Sequence, residues 1–233
     1  RAPGSSQSCS EPNVVLNTIV AEAFDMIAEQ LEKLDEKNFH TGLQKLLQKI
    51  VKEHKRVLYN GNGYTDEWVK EAERRGLPNI RTSMEALKAL VKDENIALFE
   101  KYGVMNRAEM RSRYEVNVED YHKRIHIEGE IARDLAKNVI LPKVVEAYSG
   151  ALRTNEMALN QGFPGLDGYA KSLGEGCSKL MDAVSAVENA LDGEHEGIIL
   201  AIADLRKVVD SLEKVVPDEL WPLPKYREML FIY

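Results

Sequence analysis

The chain has 233 residues, 44% of them hydrophobic and 30% charged, with a formal net charge of −7 at pH 7. That length allows one large domain or two modest ones, and the balance is that of a soluble globular protein. The acidic charge excludes bulk attraction to nucleic acid or an anionic membrane, and the longest apolar runs (around residues 14–23 and 198–203) are too short to span a bilayer.

The chain opens on Arg1 rather than Met, without a signal-peptide pattern, and reads as an excerpt with further elements upstream. Its first ten residues are small and polar with a Pro-Gly turn signal. Any strand character is confined to the first few residues and to 57–59. Cys9 and Cys177 are far apart, make no disulfide framework and fit a reducing cytosol. Pro12 suits the first turn of a helix that Val14, Val15, Ile19 and Ala23 continue to about residue 34. A second amphipathic helix uses Leu43, Leu46, Leu47, Ile50 and Val51 and ends near Arg56. Asn60-Gly-Asn-Gly63 then breaks the pattern with strong turn chemistry and marks the expected domain boundary, between 1–63 and 64–233. Thr65 or Asp66 caps a short helix to Arg75, stopped by Gly76 and Pro78; two more cover 82–90 and 95–102, the latter ending at Gly103.

The longest element is a helix predicted over 107–148. Asn106 and Glu109 have the spacing of a capping box, and Met105 and Met110 that of a hydrophobic staple. Tyr114, Val118, Tyr121, Ile125, Ala132, Leu135 and Val139 follow a 4-3 spacing that places them on one face. Glu109 with Arg113, Glu119 with Lys123 and Asp120 with Arg124 are acid-before-base pairs four apart, worth a few tenths of a kcal/mol each. Gly129 is the first interruption and Pro142 the first expected kink. At about 1.5 Å per residue the run spans roughly 60 Å, so it must pack against other helices along most of its length.

After a loop marked by Gly162-Phe-Pro-Gly165 and Gly168, Leu173, Leu180, Val184, Val187 and Leu191 resume a helical stripe. Asp192-Gly193 turns the chain, and Ile198, Ala201, Ile202, Leu205, Val208, Val209 and Leu212 form another, so 168–216 reads as an antiparallel helical hairpin. Pro217, Pro222 and Pro224 force the tail out of helix and leave Trp221, Leu223, Phe231 and Tyr233 as anchors. The fold class is mainly α: a long central helix with an antiparallel helical hairpin.

Glu119, His122, His126 and Glu130 share a helical face and are metal-capable. Lys123 and Arg124 would repel a cation there and no HExxH motif is present, so the face reads as solvated. The Asn60-Gly-Asn-Gly63 loop lacks the Lys and the spacing of a phosphate-binding loop and reads as an interhelical turn. Cys177 has no neighbouring His and reads as no nucleophile. These residues by themselves specify a helical domain and no chemistry.

Three stretches add a resemblance. Arg1-Ala-Pro-Gly-Ser-Ser-Gln-Ser8, followed by Pro12-Asn-Val-Val-Leu-Asn-Thr-Ile-Val-Ala-Glu22, resembles the end of the catalytic domain of glutamine synthetases of the large type III form. Asn60-Gly-Asn-Gly-Tyr-Thr-Asp-Glu-Trp68 through Glu71-Ala-Glu-Arg-Arg-Gly-Leu-Pro78 resembles the segment that follows it there. Ser112-Arg-Tyr-Glu115, Trp221-Pro-Leu-Pro224 and Leu230-Phe231 are also similar to that type, and Leu77-Pro78 with Glu85-Ala-Leu-Lys-Ala-Leu90 echoes glutamine synthetases generally. The hairpin matches only in pattern.

The resemblance implies the C-terminal part of a larger α+β enzyme: residues 1–63 closing its catalytic domain, and 64–233 a helical C-terminal domain. It implies a cytoplasmic ligase that joins ammonia to L-glutamate through γ-glutamyl phosphate, using ATP and Mg2+ or Mn2+ and assembling as a homo-oligomeric ring, a dodecamer in type III. Arg1 matches the arginine of the family's Glu-Phe-Arg segment and is implied to contact glutamate or its phosphorylated form. The resemblance places the metal ligands and nucleotide contacts upstream, so this stretch is expected to be inactive alone, binding no cofactor and serving packing and assembly. The rival expectation is a freestanding helical protein-interaction module, which a Glu-Phe pair just upstream of Arg1 would disfavour.

Overall fold

A computed structural model describes residues 8–230, which divide into two units, the first ending at Val118 and the second beginning at Glu119. No strand forms among the described residues, and no helix there is long and apolar enough to cross a membrane.

In the first unit the helices are α1 (Ser10–Leu31), α2 (Phe39–Glu53), α3 (Asp66–Arg74), α4 (Ser83–Leu87), α5 (Asp93–Lys101) and the opening turns of α6 (Arg107–Asp134). Residues 57–59 are no strand: Lys55–Val57 is a 3-10 turn. The first residues of the chain, the other expected strand, lie outside the described residues. Glycine stops two helices as expected. Gly76 and Gly103 have φ of 68° and 61°, and each is followed by an N–H that reaches back five residues: Leu77 to the Ala72 carbonyl at 2.9 Å, Val104 to Phe99 at 3.0 Å. The capping box at the start of α6 is also formed. Asn106 N–H donates to Glu109 Oε2 at 2.8 Å, and Glu109 N–H to Asn106 Oδ1 at 3.0 Å. With Glu109 held in that box, Arg113 turns to Glu11 of α1, 3.8 Å away, instead of forming the expected pair with Glu109.

Ile96, Phe99 and Met110 are this unit's buried cluster, flanked by Val15, Leu90 and Met105. A polar latch adds to it. Lys101 Nζ lies 2.7 Å from Glu22 Oε2 and 3.0 Å from Asp25 Oδ2, and the Tyr102 hydroxyl donates to the same two oxygens at 2.6 and 2.9 Å. The Lys101 ammonium first, then the Tyr102 hydroxyl, hold both carboxyls below their usual range. A pKa lowered by folding contributes stability that is complete above the ordinary carboxylate value of about 4 and is lost as pH falls through the lowered value. Lys101→Met should therefore destabilise this unit near neutrality, and its deficit should shrink below about pH 4. Urea titrations across pH check this; a deficit unchanged in acid contradicts it.

In the second unit the helical run does not stop at residue 148 but continues through Asn160, as α6, a π-helical stretch Leu135–Ile140, and α7 (Leu141–Asn160). Pro142 is the cause. It has no N–H, and its ring would strike the carbonyl four residues back in a regular α-helix. The preceding turn widens instead, and Leu141 N–H bonds to the Ala136 carbonyl five residues back. This shifts the buried face. Leu135 and Val139, expected on the seam, are 40% and 37% exposed, while Ala136, Ile140 and Val144 are buried at a spacing of four.

α8 (Asp167–Leu191) and α9 (His195–Glu213) form the expected hairpin. Leu173, Leu180, Val184, Val187, Leu205 and Leu212 pack with Ile140, Val144 and Ala147 into one core. Gly129 sits where α6 meets the hairpin's turn end: a Cβ there would lie 2.8 Å from Ile198 Cγ2 and 2.9 Å from Leu191 Cδ2. The residue that looked like an interruption is what permits this approach. In the tail, Trp221 is buried in the core with Leu223 beside it, as the prolines suggested. Lys225 Nζ fastens the turn, donating to the Glu213 carbonyl at 2.9 Å and to Asp218 at 2.5 Å. Phe231 and Tyr233 lie outside the described residues.

Candidate functional site

Arg1, the one residue to which a substrate contact is assigned, lies outside the described residues. The other candidates are visible. On α6, Lys123 Nζ lies 2.6 Å from Glu119 and Arg124 Nε 2.7 Å from Asp120, so each acid already has a base four residues on. Lys123 holds the Glu119 carboxyl below its usual range. His126 Nδ1 is 3.9 Å from Glu130. His122 does not turn toward His126 but stacks on His195 of α9, ring centroids 4.4 Å apart, with Tyr121 edge-on to the same ring at 5.6 Å.

His195 escaped sequence reasoning, because nothing local in a Gly193-Glu-His-Glu196 turn says which ring it will meet. No cluster of three His, Cys, Asp or Glu able to hold a metal occurs among the described residues. Zinc titrations followed by calorimetry should accordingly look alike for the unaltered protein and His126→Ala; tight one-to-one binding lost on substitution would contradict this.

The glycine-rich loop is a turn held by its own residues. Asn62 Oδ1 accepts the Tyr64 N–H at 3.1 Å, and the Asn62 carbonyl accepts the Thr65 hydroxyl at 3.3 Å. Tyr59 stacks on Trp68 of α3 with centroids 4.0 Å apart. Arg75 binds the segment from the other side: its Nη1 donates to the Leu58 carbonyl at 2.7 Å, and its guanidinium carbon lies 5.6 Å from the Trp68 ring centroid. Glu71 aims that guanidinium from 2.5 Å and also binds Arg74 at 2.7 Å; Arg74 first, then Arg75, hold its carboxyl down at about 2. Asn62 takes up the Tyr64 and Thr65 N–H groups, through its side chain at 3.1 Å and its carbonyl at 3.4 Å. The chemistry is that of a pinned loop.

Cys177 is half-buried in the second core, and burial pushes its thiol up, away from the thiolate a nucleophile needs. The described residues thus offer no catalytic constellation.

Comparison with known proteins gives the chain its context. A family model described as the glutamine synthetase C-terminal domain matches residues 42–175, from α2 into α8. The chain is 31% identical over its whole length to the type-3 glutamine synthetase of Dictyostelium discoideum, of which it covers 35%. Over 81% of its length it is 35% identical to a glutamine synthetase of Butyrivibrio fibrisolvens, covering 29% of that protein. A glutamine synthetase of Bacteroides fragilis is 29% identical over 99% of the chain, which again covers 35% of it. The chain therefore spans about a third of the length of these curated relatives. Since the family model covers more than half of the chain, the chain belongs to the glutamine synthetase C-terminal domain family.

Proposed function

We propose that this chain is the C-terminal portion of a glutamate–ammonia ligase, which forms glutamine from L-glutamate and ammonia through γ-glutamyl phosphate at the expense of ATP. The observation that carries the reading is the alignment of the whole chain with one part of a much longer type-3 glutamine synthetase. A freestanding interaction module gives no reason for such an alignment. In this reading residues 1–63 close the catalytic domain and 64–233 form a helical extension, and Arg1 is a substrate contact. The full-length protein is a cytoplasmic homo-oligomeric ring, dodecameric as in the type III form.

ATP and Mg2+ or Mn2+ belong to the same reading but not to the described residues. Those include no three-ligand cluster, and the glycine-rich loop is closed on itself. In this reading the metal ligands and nucleotide contacts lie upstream, and no catalytic step is assigned to the helices here. Their work in this reading is packing and assembly; the apolar stripes of α8 and α9, buried in the chain's own core, serve the packing.

The test is phosphate release with glutamate, ammonia, ATP and magnesium. The full-length protein should release phosphate in a glutamate-dependent way, and residues 1–233 alone should not. Glutamate-independent release by the full-length protein, or turnover by the isolated chain, overturns the reading.

A further inference from the structure

The first unit contains a cavity of 180 Å³. Its walls come from Val14 and Val15 of α1, Phe99 of α5, and Met105 and Met110 around the start of α6. Phe99 and Met110 are buried and form its floor, whereas Val14 is 36% exposed and leaves the α1 side open. A dry apolar cavity of about 150 Å³ already admits benzene, so this one has room for a phenyl or branched alkyl group. The two methionines can adapt their flexible thioethers to either.

The mouth of the cavity carries both signs of charge. Glu11 is held in place: Asn117 Nδ2 donates to its two carboxylate oxygens at 3.2 and 3.1 Å. Arg113 is not. Its Nη1 lies 3.8 Å from Glu11 Oε1, beyond a hydrogen bond, and its side chain is 54% exposed. Among the described residues no side-chain hydrogen bond occupies its guanidinium. An apolar cavity with a fixed carboxylate at its rim, and beside it a guanidinium held by a long ion pair but by no hydrogen bond, selects a particular shape of ligand.

We propose that this cavity binds a free α-amino acid with an apolar side chain. The side chain fills the space between α1, α5 and α6. The α-carboxylate takes the Arg113 guanidinium with two parallel hydrogen bonds, and the α-ammonium pairs with Glu11. An apolar acid without the ammonium draws Arg113 from Glu11 and brings no cation to replace it, and an apolar amine without the carboxylate brings its charge beside Arg113, so the zwitterion is preferred over both. An occupied site couples α1 to α6 through the ligand. This inference is independent of the ligase reading, since it uses no residue to which that reading gives a catalytic role.

Calorimetry on the full-length protein tests it with L-phenylalanine, L-leucine, 3-phenylpropanoate and 2-phenylethylamine. At least one amino acid should bind saturably, and the acid and amine lacking one charge should bind about tenfold or more weakly than phenylalanine or leucine. Arg113→Gln and Glu11→Gln should each weaken the amino acid by about tenfold, a loss in keeping with one charge-assisted hydrogen-bonded pair. Val15→Phe should abolish binding by filling the cavity; the two surface variants decide the matter if that one folds poorly. Absence of saturable binding by both amino acids, equal binding of the single-charge analogues, or binding undiminished in both charge variants overturns the proposal.

Discussion

In the full-length protein, Arg1→Ala should lower turnover by about two to three powers of ten while leaving the assembly intact. A guanidinium presents two parallel donors to a carboxylate or phosphoryl oxygen pair, a geometry that an ammonium cannot reproduce. In the proposed reaction the γ-carboxylate of glutamate gains a phosphoryl group, and charge on its oxygens changes as it does so. Hydrogen bonds that tighten during that change lower the barrier, whereas bonds equally strong before and after would only aid binding. The loss of one preorganised donor group of this kind commonly costs about 3–4 kcal/mol. Arg1→Lys should be seriously impaired, Arg1→Ala more so, and Ser5→Ala and Ser6→Ala much less. Steady-state kinetics with glutamate varied separates the two constants. A fully assembled Arg1→Ala enzyme with near-normal turnover and glutamate affinity would remove Arg1 from the site.

The second large effect is on stability. Leu180→Ala should destabilise the unit that contains the hairpin by about 2–5 kcal/mol. Leu180 is fully buried, packed among side chains of α7, α8 and α9, and its truncation leaves a cavity that rigid neighbouring helices close only in part. Met181, its neighbour, is 54% exposed, so Met181→Ala should change stability by no more than about 0.5 kcal/mol. Amide hydrogen exchange on the full-length protein measures both locally. Protection along α8 should fall in Leu180→Ala and persist in Met181→Ala; equal protection in the two variants would show that this core does not hold the hairpin.

The one candidate substrate contact, Arg1, came from the resemblance and not from local chemistry. The metal-capable face of α6 carried Lys123 and Arg124 among its acids, and those bases neutralise them in the structure. The cavity between α1, α5 and α6 was not legible, because Glu11 and Arg113 are about a hundred positions apart in the chain. Sequence spacing suggested Glu109 as the partner of Arg113. The capping box claims Glu109, and only the approach of α1 supplies Glu11 in its place.

What the sequence by itself determined are the features settled within a few residues. The Asn106–Glu109 box, the glycine stops at Gly76 and Gly103, the two stripes of the hairpin and the proline-bounded Trp221 are of this kind. The box and the stops depend on backbone conformation and hydrogen bonds that a short segment supplies for itself, and the stripes and the tail on apolar spacing and proline within their own segments. The tertiary structure decided which face of the long helix is buried beyond Gly129. Pro142 forbids a regular turn, but the chain could answer by ending, kinking or widening the helix. Packing of Ala136, Ile140 and Val144 into the core accompanies the widened turn, and Leu135 and Val139 are left toward water. That choice depends on the burial available against α8 and α9, which no local pattern contains.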